Sequence, residues 1–382
     1  MTMVMRDMAG QLGDDPILWL QLARSRRVGP ATFHWLVREH GSVTAALAAL
    51  PVIAAAAGVA NYEVCPMGVV RAEAARGAKM GARLLLWGQG GYPPALMDMA
   101  DAPPVLWALG DEGLLARPAV AMVGARNASS LGLRMARALA AGLGAAGQVV
   151  VSGLARGIDA AAHAAALGTG TIAVQAGGLD VIYPEENAAL TEAIGAQGLR
   201  LSEHPFGMAP QARHFPQRNR IVAGLARAVV VVEAAAKSGS LITARDAADL
   251  GRDVLAVPGH PFDARAAGCN GLIRDGAVLV RSSADVIEAL GLPSGVAAAP
   301  RPAARRETVA DLTPSAPPAR NLQDTSALHQ QILSRLGPSP VAEDQLLRDV
   351  GAIGAQMGPA LVALELDGLI LRHAGGLISR AH

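Results

Sequence analysis

Three neighbouring segments in the second half of the chain give the clearest indication of its fold. They read Arg213-His-Phe-Pro-Gln-Arg-Asn-Arg220, then, after an apolar helical segment, Ala228-Val-Val-Val-Val-Glu233, and finally Lys237-Ser-Gly-Ser-Leu-Ile-Thr-Ala-Arg245. A continuous Val run between two helical segments predicts a strand that is covered on both faces. Residues 211–227 hold four arginines, one phenylalanine and no acidic residue, which is typical of single-stranded nucleic-acid binding.

Similar short apolar runs alternate with helical segments on both sides of this strand. Strands are predicted at residues 120–123, 148–151, 171–175, 199–202, 228–233 and 254–257, with a seventh at 277–280. Most are continuous Val, Ala, Ile and Leu runs, as buried parallel strands are. The pattern predicts an α/β fold with a Rossmann-like, doubly wound, mostly parallel sheet, and ligands are expected at the carboxyl ends of its strands.

Two turns at these strand ends are suited to anions. The turn Ser238-Gly-Ser240 opens a helix, where unpaired backbone N–H groups are expected to point outward and favour a phosphate. The first turn, Gly124-Ala-Arg126, has an arginine where a dinucleotide fingerprint has its second glycine. That side chain obstructs a pyrophosphate while it supplies a cation. NAD and FAD are therefore not expected, and no cofactor is predicted.

Catalytic and metal sites are not predicted either. Ser152, Asp159 and His163 could be imagined as a hydrolytic trio, but Ser152 lacks the G-x-S-x-G elbow. An Asp–His pair one helical turn apart is more often a surface or capping interaction. The nine histidines are scattered, and neither Cys65 nor Cys269 has a second cysteine or histidine at liganding spacing.

The chain as a whole offers little charge to attract a partner. Its 382 residues carry a formal net charge of +1, so nucleic-acid binding must rest on local clusters. Two cysteines are too few for a disulfide framework and indicate a reducing compartment. No signal peptide is recognisable, and Pro51 interrupts the longest alanine-rich run. The sequence therefore predicts a cytoplasmic protein without a membrane partner.

Four regions are distinguished by their composition. Residues 1–80 predict a small helical domain in which the turn Val28-Gly-Pro30 resembles that of a helix-hairpin-helix. Such a turn holds a phosphate or only packs helices together, and packing is favoured here. Residues 81–292 contain the sheet, residues 293–323 read as a Pro/Ala-rich linker, and residues 324–382 predict three helices and a hairpin.

Five ordered motifs in the sheet domain resemble those of the DNA-processing protein A family, DprA, also called Smf. They are Val123-Gly-x-Arg-x-x-Ser-x-x-Gly132, Ser152-Gly-Leu-Ala-Arg-Gly-Ile-Asp159, His214-Phe-Pro-x-Arg-Asn-Arg-Ile221, Ser238-Gly-Ser-Leu-Ile-Thr-Ala244, and Val257-Pro-Gly259 with Gly268-Cys-Asn-Gly-Leu-Ile273. Members of this family bind and protect incoming single-stranded DNA in natural transformation, help to load the RecA recombinase, and dimerise through the α/β domain. They are not regarded as enzymes. The resemblance implies the same for this chain.

The resemblance also implies where DNA binds. The first-turn arginine that binds a DNA phosphate falls on Arg126, and the stacking aromatic falls on Phe215. With the charged and small residues around them, the predicted nucleic-acid-binding set is Gly124, Arg126, Ser129, Arg156, Gly178, Arg213, Phe215, Arg218, Asn219, Arg220, Lys237, Ser238, Gly239 and Ser240. An alternative for Arg126 is an internal tether to Asp159 or Glu233.

Two positions depart from the family pattern. Members often have lysine where this chain has Ala212 and Glu185. Arg213 can replace the first missing cation, whereas Glu185 would repel a phosphate. Weaker binding than is usual in the family, or a shifted path of the DNA strand, is expected.

A second hypothesis treats this site as that of an enzyme. The helix start at Ser238 and the carboxylate of Glu233 would then form a nucleotide-processing site of the phosphoribohydrolase type. Those enzymes carry a Pro-Gly-Gly-x-Gly-Thr motif, which this sequence lacks. The binding hypothesis is therefore preferred.

The last region resembles the winged helix that many DprA proteins carry. Its third helix, predicted at residues 353–366, has no arginine or lysine. A recognition helix without cations would be a poor reader of DNA. Contact with a protein, or regulation, is the favoured role for this domain.

Overall fold

The structure is a computed structural model that describes residues 15–292, 322–351, 354–373 and 376–381. Most of the predicted linker, residues 293–321, lies outside the described residues. In the described part, the chain forms a helical N-terminal region, a central α/β sheet and a small C-terminal helix and hairpin unit. This architecture confirms the predicted fold class.

The N-terminal region is a set of four helices whose ends follow from local sequence. They are α1 (Pro16–Arg24), α2 (Pro30–His40), α3 (Val43–Ala56) and α4 (Met67–Met80). Asp15 caps α1, because its carboxylate accepts the N–H of Ile17 at 2.9 Å. Helix α3 continues through Pro51, so the proline that interrupts the alanine run does not end the helix. Trp19 and Phe33 are buried between these helices, with ring centroids 5.2 Å apart.

The central sheet has nine strands among the described residues, in the order β1-β2-β6-β5-β4-β3-β7-β8-β9. The strands are β1 (Arg83–Leu86), β2 (Val105–Gly110), β3 (Ala119–Val123), β4 (Val149–Ser152), β5 (Thr171–Val174), β6 (Leu199–Ser202), β7 (Ala228–Val231), β8 (Asp253–Ala256) and β9 (Val278–Leu279). Strands β3 to β9 pair in parallel, whereas β1 and β2 add an antiparallel edge. All seven predicted strands are confirmed.

Helices cover both faces of this sheet. They are α5 (Ser130–Ala145), α6 (Ile158–Ala166), α7 (Ala188–Gln197), α8 (His214–Leu225), α9 (Ser240–Asp249), α10 (Ala267–Arg274) and α11 (Ser283–Ala289). Strand β3 shows how the two faces divide, because Val120 and Met122 belong to one hydrophobic cluster while Ala121 and Val123 belong to the other. Burial on both faces explains why the strand sequences do not alternate.

The C-terminal unit contains α12 (Leu322–Arg335), α13 (Glu343–Val350) and α14 (Gly354–Leu366) with a three-stranded antiparallel sheet. Its strands are β10 (Val341–Ala342), β11 (Ile370–His373) and β12 (Leu377–Arg380), in the order β10-β12-β11. Ile332, Leu346, Leu361 and Ile378 form a separate small core. Three helices followed by a hairpin give the predicted winged-helix arrangement.

The N-terminal helices pack on the sheet domain through a buried charged cluster. The Arg24 guanidinium binds the Glu73 carboxylate at 2.9 Å and donates to the carbonyl of Glu203 at 3.0 Å. Trp107 Nε1 donates to the same Glu73 carboxylate at 2.7 Å. Arg24 and the turn at residues 28–30 line the same cavity of about 410 Å³ between these helices and the sheet domain.

Of the helices that the structure describes, none alone is long and apolar enough to cross a bilayer. Helices α2 and α3 meet the length and composition criteria only as a pair, and the pair is bent by 107°.

Candidate nucleic-acid interface

The first turn, between β3 and α5, is held by Glu233 at the end of the neighbouring strand β7. The N–H of Ser129 donates to Glu233 Oε1 at 2.9 Å, and the Ser129 hydroxyl donates to Oε2. Ser129 also caps α5, because its Oγ accepts the N–H of Gly132 at 3.0 Å. Burial raises the pKa of the Glu233 carboxyl, and the hydrogen bonds from Ser129 oppose this rise. The turn is thus fixed from below, while Arg126 at its tip is exposed.

The second turn, after β4, packs directly against the first. Gly157 has a φ of +73°, and a Cβ at this position would lie 2.3 Å from the carbonyl oxygen of Ala125. Only glycine fits this backbone conformation and this close approach. The buried carboxylate of Asp159 accepts the N–H of Gly153 at 3.1 Å, and burial raises its pKa. The two turns therefore form one rigid wall.

Arg218 on α8 forms the floor between these turns. It is 4% exposed, and its Nη1 donates to the carbonyls of Gly153 and Val174 at the ends of β4 and β5. Burial lowers the pKa of the guanidinium to about 10, while the nearby Asp159 carboxylate opposes that shift. Arg218 thus remains charged at neutral pH and ties α8 to the sheet.

Phe215 brings a stacking surface and a cation together at the mouth of the site. It lies in the first turn of α8 and is partly exposed. The Cζ atom of Arg126 lies 4.8 Å from its ring centroid, and the ring of Tyr183 lies 5.7 Å away. Cation and aromatic groups at this spacing attract each other and present flat surfaces on which bases stack.

The tether alternative for Arg126 is not supported by this geometry. Its guanidinium lies over Phe215, and among the described residues no carboxylate forms an ion pair with it. Glu233 is engaged by Ser129, and Asp159 is engaged by backbone N–H groups of its own turn. The cation is therefore available to a ligand.

The opposite wall of the site is the segment after β7. Lys237 is exposed, and the hydroxyls of Ser238 and Ser240 lie 2.7 Å apart. Two of the N–H groups in this turn already have acceptors within it. The N–H of Ser238 donates to Ala235 O at 3.0 Å, and that of Ser240 is directed to Ser238 Oγ at 3.4 Å. The Lys237 ammonium and the two hydroxyls add to the attraction of this wall for an anion.

The walls enclose an open cleft of about 600 Å³. The predicted residues that line it are Gly124, Arg126, Phe215, Arg218, Asn219, Lys237, Ser238, Gly239 and Ser240. Arg156 lines an adjoining recess next to Arg126 and Phe215, with its Nε 3.6 Å from Glu186. The cleft lies at the carboxyl ends of neighbouring parallel strands, which is where a ligand was expected from the sequence.

Ser129, Gly178 and Arg213 do not line this cleft. Ser129 is 6% exposed and bound to Glu233, so it supports the first turn instead of facing a ligand. A Cβ on Gly178 would lie 2.5 Å from the carbonyl of Pro205, which shows that this glycine permits backbone packing. Arg213 is exposed directly before α8, next to the cleft. These contacts favour a supporting role for Ser129 and Gly178, and their direct contact with DNA stays a prediction.

Arg220 lies in another part of the molecule, where α8 faces the N-terminal helices. Its Nη2 binds Glu203 Oε2, and its Nε lies 3.3 Å from Asp101 Oδ2. The side chain is only 14% exposed. Burial raises the pKa of the Glu203 carboxyl, and the Arg220 charge opposes this. Two carboxylates and the surrounding protein already hold the guanidinium, which favours a structural role for Arg220, and its contact with DNA stays a prediction.

The imagined hydrolytic trio is not assembled. The Ser152 hydroxyl donates to the carbonyl of Met122 at 2.6 Å, and His163 Nδ1 lies 2.7 Å from Thr171 Oγ1. Burial lowers the pKa of His163 to about 3. Both side chains form hydrogen bonds within the buried interior of the sheet domain. Within the described residues, no group of three or more His, Cys, Asp or Glu side chains is placed to hold a metal ion.

Three residues at the site were not predicted from the sequence. Asn127 and Arg265 line the cleft, and Tyr183 stands beside Phe215. Arg265 follows β8 in the chain, so the rule that ligands lie at strand ends could have found it. Asn127 is next to Arg126 and could have been included for the same reason. Nothing local in the sequence indicates that Tyr183 approaches Phe215.

Three family descriptions match successive parts of the chain. DNA recombination-mediator protein A matches residues 83–291. The DprA-like N-terminal HHH domain matches residues 13–75, and the DprA winged helix domain matches residues 316–376.

Individual relatives agree with these matches. Protein Smf of Synechocystis sp. is 37% identical over 309 residues, which cover 74% of this chain and 76% of that protein. DNA processing protein DprA of Streptococcus pneumoniae is 49% identical over 198 residues, covering 51% of this chain and 70% of that protein.

The X-ray structure of DNA processing protein A from S. pneumoniae has a TM-score of 0.60 at 37% identity and covers 72% of this chain and 98% of that chain. A structure of the Helicobacter pylori protein, described for its single-stranded DNA binding mode, has a TM-score of 0.51 at 32% identity and covers 55% of this chain and 95% of that chain.

Proposed function

The chain belongs to the DNA recombination-mediator protein A family, also called DprA or Smf, and on that premise we propose that it binds single-stranded DNA in the cleft described above. It protects incoming single strands and helps to load the RecA recombinase during natural transformation. A protein with these partners works in the cytoplasm. The DNA-processing role itself follows from the family, whereas the partners and the process are our proposal.

The observation that carries this proposal is the pairing of Phe215 with Arg126. A ring and a guanidinium 4.8 Å apart offer a stacking surface and a phosphate ligand within the reach of one nucleotide. Lys237 supplies a second exposed cation on the opposite wall. A duplex hides its base faces and can use only the cations. The H. pylori relative, described for its single-stranded DNA binding mode, supports the same preference.

The predicted site residues divide into two groups under this proposal. Those that contact DNA are Gly124, Arg126, Arg156, Arg213, Phe215, Asn219, Lys237, Ser238, Gly239 and Ser240. Those that support the fold around the cleft are Arg218, Ser129, Gly178 and Arg220. Glu185 is exposed close to the recess that contains Tyr183, so its charge weakens the attraction for phosphate on that side.

The protein also forms a homodimer through the sheet domain. Strand β9 is an edge of the sheet, and its Val278 and Leu279 are 46% and 43% exposed. An exposed apolar edge strand invites pairing with a second chain, and a second copy would cover it.

This function requires no catalysis, and we propose that the chain is not an enzyme. Glu233, the candidate carboxylate of a nucleotide-processing enzyme, is 8% exposed and engaged by Ser129. Incubation with nucleoside monophosphates should therefore release no free base. Release of base would favour the phosphoribohydrolase hypothesis.

A titration of oligo-dT against a duplex of equal length at several salt concentrations tests the proposal. The single strand is expected to bind more tightly, with an affinity that falls as salt rises by a log–log slope of about 0.7 per phosphate contact. Equal or tighter duplex binding at physiological salt would overturn the proposal. A salt-insensitive complex would show that the cations are not at the interface.

A further inference from the structure

The cleft lined by Arg126, Phe215 and Lys237 is called the main cleft below. A second cavity adjoins it where the winged-helix domain meets the sheet domain. It has a volume of about 350 Å³, and the side chains of Asn127 and Arg265 line both it and the main cleft.

 

The two cavities therefore adjoin at these two side chains. The wall of the second cavity includes Phe262, Asp263 and Arg380.

The position of the winged-helix domain at this junction is fixed by arginines from both sides. Arg265 donates to the carbonyls of Ser334 at 2.8 Å and Leu336 at 2.7 Å. In the other direction, Arg335 donates to the carbonyl of Ala128, in the first turn, at 2.8 Å. The C-terminal domain is thus attached directly beside the DNA cleft and forms one wall of the second cavity.

Phe262 and Arg380 give this junction the same chemistry as the main cleft. Phe262 is 82% exposed, with its ring centroid 5.7 Å from that of His260. Arg380 is exposed, and no carboxylate among the described residues forms an ion pair with it. The one acidic residue in the lining, Asp263, is paired with Arg265 at 3.1 Å. An aromatic ring and an available cation therefore face a space whose acidic group is already neutralised.

The order of the strands places this junction beside the main cleft, at the same edge of the sheet. Strands β3, β7 and β8 are neighbours, and Arg126, Lys237 and Phe262 follow their respective carboxyl ends. Two inter-strand steps amount to about 10 Å. A single strand that crosses the sheet from Phe215 past Lys237 therefore arrives at Phe262.

We propose that bound single-stranded DNA continues from the main cleft past Arg265 into this second subsite, where a base stacks on Phe262 and Arg380 holds a phosphate. This inference rests on the proposed function. It gives the winged-helix domain a part in DNA binding through its last strand, which agrees with the absence of cations from α14.

The test compares oligo-dT ladders of about 5 to about 20 nucleotides on the full chain. Phe262→Ala should weaken binding of the long oligonucleotides about fivefold or more, the size of one lost stacking contact, and leave the shortest ones unchanged. Arg380→Ala should weaken the same long oligonucleotides and flatten their salt slope by about 0.7. Arg348→Ala, an exposed arginine of the same domain that lines neither cavity, is the matched control and should have no effect.

Phe215→Ala separates this inference from the proposed function, because it should weaken binding at every length. If Phe215→Ala weakens binding while Phe262→Ala and Arg380→Ala bind all lengths as the unaltered chain does, the second subsite is overturned and the main cleft stands. If the unaltered chain does not bind oligo-dT at all, the proposed function itself fails.

Discussion

Helix α8 lies between two arginine-containing regions that differ in what surrounds the charge. On the cleft side, Arg126 lies over Phe215, and no carboxylate among the described residues pairs with it. On the side of the N-terminal helices, Arg220 is held by Glu203 and Asp101. The first cation is available to a phosphate, whereas the second stabilises the contact between domains.

The difference shows that an arginine count does not locate a binding surface. Both arginines belong to motifs that the sequence shares with the family. What separates them is whether carboxylates from distant parts of the chain reach them. A guanidinium that already has partners would have to lose them before it could bind DNA.

The largest expected effect comes from Arg220→Ala, which should lower the free energy of unfolding by about 3 to 5 kcal/mol. Its removal leaves the buried Glu203 carboxylate without its partner. Urea denaturation measures the loss, and Arg213→Ala, which removes an exposed arginine close in sequence, is the control. Affinity for oligo-dT per folded molecule should not change. Unchanged stability together with weaker DNA binding would place Arg220 in the interface after all.

Arg126→Ala should leave the stability unchanged and weaken DNA binding instead. The expected loss of binding free energy is about 1.5 to 3 kcal/mol, or roughly tenfold or more in affinity. The reason is the loss of charge-assisted hydrogen bonds to a phosphate. The salt slope should flatten by about one phosphate contact, and the melting temperature should stay the same. A lower melting temperature with an unchanged salt slope would instead indicate a structural tether.

Phe215→Ala should cost about 1 to 3 kcal/mol of affinity through lost stacking and leave the salt slope unchanged. Phe215→Leu keeps apolar volume without an aromatic face and is the matched control. If the leucine variant binds as tightly as the unaltered chain, the ring contributes packing and not stacking.

The smallest expected effect concerns His204, in the region around Arg220. Burial lowers its pKa to about 4, and the positive charges of His214, Arg24 and Arg220 add to this. Because the pKa in the folded state is below the unfolded value of 6.5, its contribution to stability is present above about pH 6.5 and is lost as the pH falls toward 4.

His204→Gln should therefore remove part of the decrease in stability between pH 7 and pH 5, on the order of 1 to 2 kcal/mol. The measurement is the difference between the urea midpoints of the two proteins at each pH, since other groups titrate in both. His260→Gln, an exposed histidine outside this region, is the control. Parallel pH profiles for the unaltered chain and His204→Gln would contradict the assignment.

The fold class, the seven parallel strands and the cleft at their carboxyl ends could all be predicted from the amino-acid sequence. Continuous apolar runs such as residues 228–231 have to be covered on both faces, and parallel strands place their following turns along one edge. Arg126, Phe215 and Lys237 could be assigned to one site for this reason. The domain boundaries and the individual DNA contacts remain predictions.

Which of these side chains are available to a ligand depends on contacts between segments that are distant in sequence. Ser129 turns inward because Glu233, far away in sequence, accepts its N–H and hydroxyl. Arg220 is neutralised by carboxylates from two other segments, and Arg265 is drawn to the winged-helix domain by two carbonyls. Local sequence sets which side chains a turn carries, but hydrogen bonds and ion pairs between distant segments set their direction and their free charge.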